Sequence, residues 1–206
     1  MQMSDADLPD DTSAAMGATG GMAGRLPPDW LPPHERLTGL GLVDAGPATE
    51  HAEEIHGLML RTPLFAGLGI DDTRKLSAYM RIYDAQPGIT LINEGEPGDF
   101  MLLLVGGMID VLRRNRYDYP ARIALGHPGH ALGEMSMFDG EPRFASCVTL
   151  EPSRMAVLSR DALMRVLAEE PELGNRILLK LVQMLSDRLR QTSSKLVSYL
   201  EAARDN

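Results

Sequence analysis

The middle of the chain, residues 82–158, is a series of short aliphatic and β-branched segments separated by glycine and proline. The apolar segments span residues 89–92, 100–105, 108–112, 121–124, 146–150 and 155–158. Turn signals stand between them, for example at Gly106–Gly107 and Pro128–Gly129. Short segments with turn residues at this spacing predict strands of an antiparallel sandwich or roll, and not alternating βαβ units.

Helical patterns flank the predicted strands on both sides. Helices are expected over residues 48–60 and 71–80, where apolar residues share one face. After the strands, Ser159 is a suitable cap for a short helix, and Pro171 stands at a favoured first-turn position. Pro171 would open a long helix over residues 171–203. The predicted fold is therefore mainly β with flanking helices: a double-stranded antiparallel, jelly-roll-like β-roll plus a long C-terminal helix.

Four regions follow from these patterns in a chain of 206 residues, a length that suggests one domain with tails. Residues 1–50 are acidic and rich in proline and glycine, which predicts a mostly disordered tail. Residues 51–81 would form N-terminal helices and residues 82–158 the β-roll. Residues 159–206 would form the C-terminal helices.

The long helix carries apolar residues at alternating spacings of four and three. They are Leu178, Val182, Leu185, Leu189, Thr192 (a polar exception), Leu196 and Tyr199. This spacing is typical of a coiled-coil seam, and it predicts a homodimer. The alternative is a helix packed on its own domain, which would also carry an apolar stripe.

Composition excludes several classes of function. The chain has 29 acidic against 20 basic residues and a net charge of −9, which argues against nucleic-acid binding as the main activity. No apolar run approaches the ~18 residues of a membrane span, so no membrane insertion is expected. The acidic N-terminus does not resemble a signal peptide. Cys147 is the single cysteine and fits a reducing compartment, so we expect a cytoplasmic protein.

No constellation of an enzyme stands out. The chain has no Walker sequence, paired-carboxylate site or Ser-His-Asp arrangement. His127 and His130 are close in sequence, but no cysteine or acidic residue accompanies them at metal-ligand spacing. We expect no enzyme activity, no catalytic cofactor and no metal.

The segment that carries chemistry is residues 132–148, LGEMSMFDGEPRFASCV. Gly133 allows close approach of a ligand, and residues 134–138 could form one helical turn whose free N–H groups face an anion. Arg143 offers a guanidinium fork to a phosphate, and Glu134 is an acceptor suited to a ribose edge. One phosphate donor set and one sugar acceptor predict a nucleotide site. The alternative is a surface salt bridge between Glu134 and Arg143 beside an ordinary turn.

This segment resembles the phosphate-binding cassette of the cyclic-nucleotide-binding domain family, which includes the bacterial catabolite activator protein and the regulatory subunit of protein kinase A. Residues 133–138 match its first half, and Pro142, Arg143, Ala145 and Ser146 match its second half. The glycine-rich turns at residues 87–89, 94–99 and 105–107 are also similar to those of the family. The resemblance extends over residues ~57–200, which is about the length of one domain.

The resemblance implies a β-roll of about eight strands and a last helix that closes over the ligand and often dimerises. It implies that Glu134 accepts from the ribose 2′-hydroxyl and that Arg143 pairs with the cyclic phosphate. Backbone amides would complete the phosphate cradle. The cassette residues implied to bind are Gly133, Glu134, Met135, Ser136, Arg143, Phe144 and Ala145.

The resemblance also implies a base contact from the long helix. Thr192 and Ser193 match a Thr-Ser pair that contacts the adenine in the catabolite activator protein, partly across the dimer. Aligning the helix from Pro171 instead shifts that register by about one turn. The implied ligand is a cyclic nucleotide, cyclic AMP in preference to cyclic GMP.

The predicted function is a stand-alone signalling module that acts on an unidentified protein partner and not on DNA, since the long helix runs nearly to Asn206. Phe144 departs from the family, which usually has Ala, Ser or Thr there. The alternatives are an interaction protein that has kept the fold without the ligand, and a binder of another nucleotide such as cyclic di-GMP.

Overall fold

The computed structural model describes residues 32–60 and 67–204 of the chain. Its helices are α1 (Pro33–Gly39), α2 (Ala52–Met59, preceded by a 3-10 turn at Ala48–His51), α3 (Ile70–Ser77), α4 (Glu134–Asp139), α5 (Arg160–Glu169) and α6 (Pro171–Arg204). Its strands are β1 (Val43–Pro47), β2 (Arg81–Ala85), β3 (Thr90–Ile92), β4 (Phe100–Gly106), β5 (Ile109–Arg114), β6 (Pro120–Gly126), β7 (Ala131–Leu132), β8 (Ser146–Thr149) and β9 (Ser153–Ser159).

The strands form two antiparallel sheets that face one another. One sheet has the order β1-β2-β9-β4-β7 and the other has the order β3-β8-β5-β6. Leu102 and Leu104 of β4 pack with Ile109 of β5 and Cys147 of β8 in the core between the sheets. The predicted mainly β roll with flanking helices is confirmed.

Strand β4 of the five-stranded sheet is buried on both faces, which explains why it is apolar throughout. Successive side chains of a strand point to opposite faces. Leu102 and Leu104 therefore face the second sheet, while Met101, Leu103 and Val105 pack in a separate core with the helices. That second core fixes α2, α3, α5 and α6 against the back of the roll.

Local signals placed most of the elements correctly. Each of the six predicted apolar segments lies in a strand, whereas β1, β2 and β7 were not predicted individually. Ser159 caps α5, because its Oγ accepts a hydrogen bond from the backbone N–H of Ala162 at 3.1 Å. The long helix begins at Pro171 as predicted.

The predicted tail does not extend to residue 50. Residues 33–47 form α1 and β1, and β1 pairs with β2 at the edge of the larger sheet. Leu37 and Leu42 are buried in the core between the sheets. Gly41 supplies a left-handed turn between the two elements, with φ of 92°. Pro33 stands in the first turn of α1, where proline is tolerated. Residues 1–31 lie outside the described part of the chain.

The long helix α6 carries two apolar stripes. One stripe packs on the chain's own domain and consists of Leu173, Ile177, Leu181 and Met184. The predicted seam is the other stripe: Val182, Leu189 and Tyr199 are exposed, while Leu178 and Leu185 are half-buried. Packing on its own domain therefore does not use up the apolar surface of the helix.

The inclusion of α1 in the fold yields a stability prediction. Leu37→Ala removes a fully buried side chain, so the free energy of unfolding should fall by about 2–5 kcal/mol. Val43→Ala is the matched control because Val43 is 65% exposed, and it should change stability by no more than about 0.5 kcal/mol. Urea unfolding followed by circular dichroism measures both. Equal effects would show that α1 is not part of the core.

Candidate functional site

The short helix α4 starts from a left-handed glycine. Gly133 has φ of 78°, and a Cβ built there would lie 2.6 Å from Nη1 of Arg143 and 2.7 Å from Cδ1 of Ile92. Both the backbone angle and the lack of space require glycine at this position. Glu134 follows it and is buried, with 2% of its surface exposed.

Arg143 is the most unusual side chain of the site because its guanidinium is buried, with 4% of the residue exposed. Nη1 donates to the carbonyl oxygen of Gly133 at 2.7 Å, and Cζ lies 4.5 Å from the ring centroid of Phe100. Nη2 is buried without a hydrogen-bond partner among the described residues. Burial lowers the pKa of Arg143 to about 10, so the side chain remains charged at neutral pH.

The turn between β3 and β4 holds the backbone of Arg143. Its N–H donates to the carbonyl oxygen of Glu96 at 2.8 Å, and its carbonyl oxygen accepts from the N–H of Gly95 at 2.9 Å. Gly98 lies so close that a Cβ there would be 2.4 Å from Nε of Arg143. The glycine-rich turn at residues 95–98 therefore packs directly against Arg143 and fixes its position.

Glu134 pairs with an arginine that the sequence reasoning did not identify. Its carboxylate forms an ion pair with Nη1 of Arg188, on α6, and Nη2 of Arg188 donates to the carbonyl oxygen of Ala131 at 2.9 Å. Burial raises the pKa of Glu134, while Arg188 favours the ionised form. The alternative of a surface salt bridge between Glu134 and Arg143 is wrong, because both are buried and neither pairs with the other.

Arg160 is a second arginine that contacts the cassette and that the sequence did not indicate. Its guanidinium donates to the carbonyl oxygens of Met137 at 2.7 Å and Ser136 at 2.8 Å. These oxygens belong to the short helix α4, while Arg160 is the first residue of α5. It therefore ties the cassette to the C-terminal helices. An arginine after a capping serine looks like an ordinary helix residue, so no local signal marks it.

The Phe144 side chain lies at the rim of the site. Its residue surface is 47% exposed, and Cζ of Arg113 lies 3.9 Å from the ring centroid. Arg143, in contrast, stacks on Phe100. The aromatic ring that follows the buried arginine thus pairs with a different cation, on β5.

One cleft brings the predicted cassette residues together. It is lined by Gly133, Glu134, Met135, Ser136, Arg143, Phe144 and Ala145. Ile92, Val111, Leu132, Cys147 and Arg188 complete the lining. Thr192 and Ser193 do not line this cleft, and both are exposed on α6 one turn beyond Arg188.

Other candidate groups contribute no chemistry of their own. Burial raises the pKa of Cys147 to about 12, so its thiol is protonated and unreactive at neutral pH. Across residues 32–60 and 67–204, no group of three or more His, Cys, Asp or Glu residues is arranged to hold a metal ion. None of the helices described there is long and apolar enough to cross a membrane.

The roll and the cleft define a ligand-binding domain of the β-roll class, with a buried cation and a buried anion on one short cassette. Residues 84–170 match the family model described as the cyclic nucleotide-binding domain. A cyclic nucleotide-binding domain from Methylobacillus flagellatus, known as a crystal structure, is 40% identical with a TM-score of 0.70. The match covers 76% of this chain and 88% of that one. The chain belongs to the cyclic nucleotide-binding domain family.

Several more distant relatives are named as regulators. A CRP-like cAMP-activated global transcriptional regulator of Mycobacterium tuberculosis is 29% identical over 69% of this chain. The Thermus thermophilus catabolite activator protein has a TM-score of 0.60 at 26% identity, with 66% of this chain and 62% of that one covered. A cAMP-dependent protein kinase regulatory subunit of Aspergillus niger is 30% identical over 55% of this chain and 27% of its own length. The chain spans 62% of the Mycobacterium regulator.

The contact between Gly98 and Arg143 yields a prediction. Gly98→Ala should displace the guanidinium and lower the free energy of unfolding by about 1–3 kcal/mol, the usual range for overpacking. Gly57→Ala, in α2, is the matched control because a Cβ there meets nothing within 4 Å. The control should be neutral or stabilising by up to about 1 kcal/mol. Chemical denaturation compares them, and an unaffected Gly98→Ala protein would contradict the close approach.

Proposed function

We propose that this chain is a regulatory module that binds a cyclic nucleotide, cyclic AMP in preference to cyclic GMP, in the cassette cleft. The observation that carries the proposal is the buried Nη2 of Arg143, which has no partner among the described residues. A buried guanidinium N–H without an acceptor is costly. A phosphate oxygen would supply the acceptor with a charge-assisted hydrogen bond.

The cleft offers complementary partners for the rest of such a ligand. Glu134 lies beside Arg143 in the same lining, and its carboxylate would accept from the ribose 2′-hydroxyl. The backbone amides of Met135–Ser136 and Phe144–Ala145 would complete the phosphate cradle, as the family implies. Ile92 and Val111 provide apolar surface for the remainder of the nucleotide.

Arg188 provides a route from the ligand to the long helix. Its guanidinium pairs with Glu134 in the cleft, and its backbone is part of α6. A hydroxyl that hydrogen-bonds to Glu134 changes the electrostatic environment of this pair, so occupancy of the cleft is transmitted to α6. Arg160 supplies a parallel link from α4 to α5. We infer that the module acts on a protein partner through these helices.

Thr192 and Ser193 remain candidates for the base contact. Both side chains are solvent-exposed on α6. They lie on the half of the helix that projects beyond its own domain, and Thr192 is itself a residue of the predicted seam. We propose that they contact the base in the cleft of a second copy when α6 pairs with α6.

Phe144 motivates the alternative of a fold that has lost its ligand. The position of the ring favours a working cleft instead, since the Phe144 ring packs against Arg113, while the guanidinium of Arg143 packs against Phe100. The backbone amide of Phe144 remains available whichever way the ring points. The name of the Mycobacterium relative, a cAMP-activated regulator, also supports cyclic AMP as the ligand.

Loss of Arg143 tests the proposed ligand directly. Arg143→Ala should weaken cyclic AMP binding by about 10- to 150-fold or more, since a hydrogen bond to a charged group contributes about 1.5–3 kcal/mol. Isothermal titration with cyclic AMP, cyclic GMP and cyclic di-GMP measures affinity and preference. Arg165→Ala, on the exposed face of α5, is the matched control and should bind as the wild type does.

Two results would contradict the proposed binding of a cyclic nucleotide. One is a wild-type chain that binds none of the three nucleotides at millimolar concentration. The other is an Arg143→Ala protein of native circular dichroism whose affinity is unchanged.

The open stripe of α6 predicts a homodimer. Leu189→Glu combined with Leu196→Glu should give monomers, because the two leucines are 68% and 57% exposed in one chain and charge in a dry seam is costly. Leu185 is unsuitable for this test since it packs partly against its own core. Sedimentation velocity at tens of micromolar is the measurement, and Met164→Glu on α5 is the control. A wild type that is monomeric with and without ligand contradicts the prediction.

A further inference from the structure

A second cavity lies between α1 and the roll, and it is separate from the cassette cleft. Its volume is about 260 Å³, and it shares only Ile92 and Arg143 with the lining of the cleft. Leu37 and Leu40 of α1 and Leu91 of β3 form an apolar wall. The cavity exists because residues 33–47 fold onto the sheets.

Two buried guanidinium groups line this cavity. Arg36 is 9% exposed, and its Nε is buried without a hydrogen-bond partner among the described residues. Nη2 of Arg143 is likewise buried without a hydrogen-bond partner among the described residues. The Cζ atom of Arg36 lies 5.6 Å from the ring centroid of Phe100, and the Cζ atom of Arg143 lies 4.5 Å from it. Two N–H donors with no acceptor therefore adjoin one aromatic ring.

The nearby carboxylates are engaged elsewhere and leave Arg143 without an ion pair in the described part of the chain. Asp99 forms an ion pair with Nη2 of Arg36. Glu96 lines the cavity and accepts from the side-chain amide of Asn93 at 3.3 Å. Arg143 has no ion pair in residues 32–60 and 67–204. Glu96 repels any anion here, and it repels a dianion about twice as strongly as a monoanion, so a monoanion paired with Arg143 suits the cavity better than a phosphate dianion.

We propose that this cavity is a binding site for a small carboxylate with a compact apolar body. The carboxylate oxygens accept from Nε of Arg36 and Nη2 of Arg143, and the apolar body packs against Leu37, Leu40 and Leu91. The volume of the cavity lies just below the ~300 Å³ at which pockets for drug-sized ligands begin, so we expect a ligand smaller than that class.

The site is coupled to the cassette through Arg143, and this coupling rests on the proposed function. Nη2 of Arg143 can donate to a ligand in the cassette cleft or to a ligand in the second cavity, but not to both at once. A carboxylate in the second cavity therefore weakens the binding of a cyclic nucleotide, and the nucleotide weakens the carboxylate by the same factor.

Titration of the full chain with benzoate tests the site. Heteronuclear NMR should show saturable shifts of the Leu37 and Leu40 methyl groups with benzoate and none with benzamide, its uncharged analogue. Arg36→Met should weaken benzoate binding by at least about tenfold, which corresponds to about 1.4 kcal/mol. Leu40→Phe, which fills the cavity and keeps both arginines, should also weaken it. Arg74→Met is the control because Arg74 pairs only with exposed acids.

Three outcomes would overturn the site: no saturation with benzoate, binding of benzamide as tight as that of benzoate, or benzoate affinity in the Arg36→Met and Leu40→Phe proteins equal to that of the wild type. Glu134→Gln separates the two proposals, since it should weaken cyclic AMP and leave benzoate unaffected. A chain that binds cyclic AMP but not benzoate refutes the second site alone. A chain that binds benzoate but not any cyclic nucleotide refutes the proposed function and leaves the second site standing.

Discussion

The burial of one guanidinium group is the constraint on which the site depends. Arg143 carries its charge into the interior, where an isolated ion is strongly disfavoured. A carbonyl oxygen at Gly133 and the face of Phe100 compensate part of that cost. Gly98 and Gly133 are glycines because a Cβ at either would collide with this side chain. The turns on both sides of the cassette are therefore shaped around one arginine.

The neighbouring arginines give that site its connections. Arg188 reaches Glu134 from α6, and Arg160 reaches the carbonyl oxygens of α4 from the start of α5. The first residue and the middle of a six-residue helix are thus held by the C-terminal helices. A small rearrangement of α4 cannot occur without affecting at least one of these contacts. A movement of α4 is therefore passed on to α5 or α6.

The sequence was informative wherever the structural signal was local. Apolar segments between glycines identified six strands, Ser159 and Pro171 marked helix starts, and the cassette residues converge on one cleft. Tertiary relations were not predictable in the same way. Arg188 and Arg160 lie 54 and 23 residues from their cassette partners, and nothing in their own neighbourhoods indicates those contacts. Residues 33–47 differ from the prediction because the acidic, proline- and glycine-rich composition of residues 1–50 as a whole gives no sign that Leu37 and Leu42 are buried.

The strand β1 closes one edge of the larger sheet, and this has a consequence for solubility. An open strand edge invites pairing with other chains, and proteins blunt such edges with proline, bulges or short strands. β1 ends in Pro47 and pairs irregularly between Asp44 and Gly46, while β7 at the opposite edge has two residues. Cleavage before residue 50 would uncover β2, a well-formed strand with neither protection. Such a shortened chain would be prone to aggregate through strand addition, even with its cassette intact.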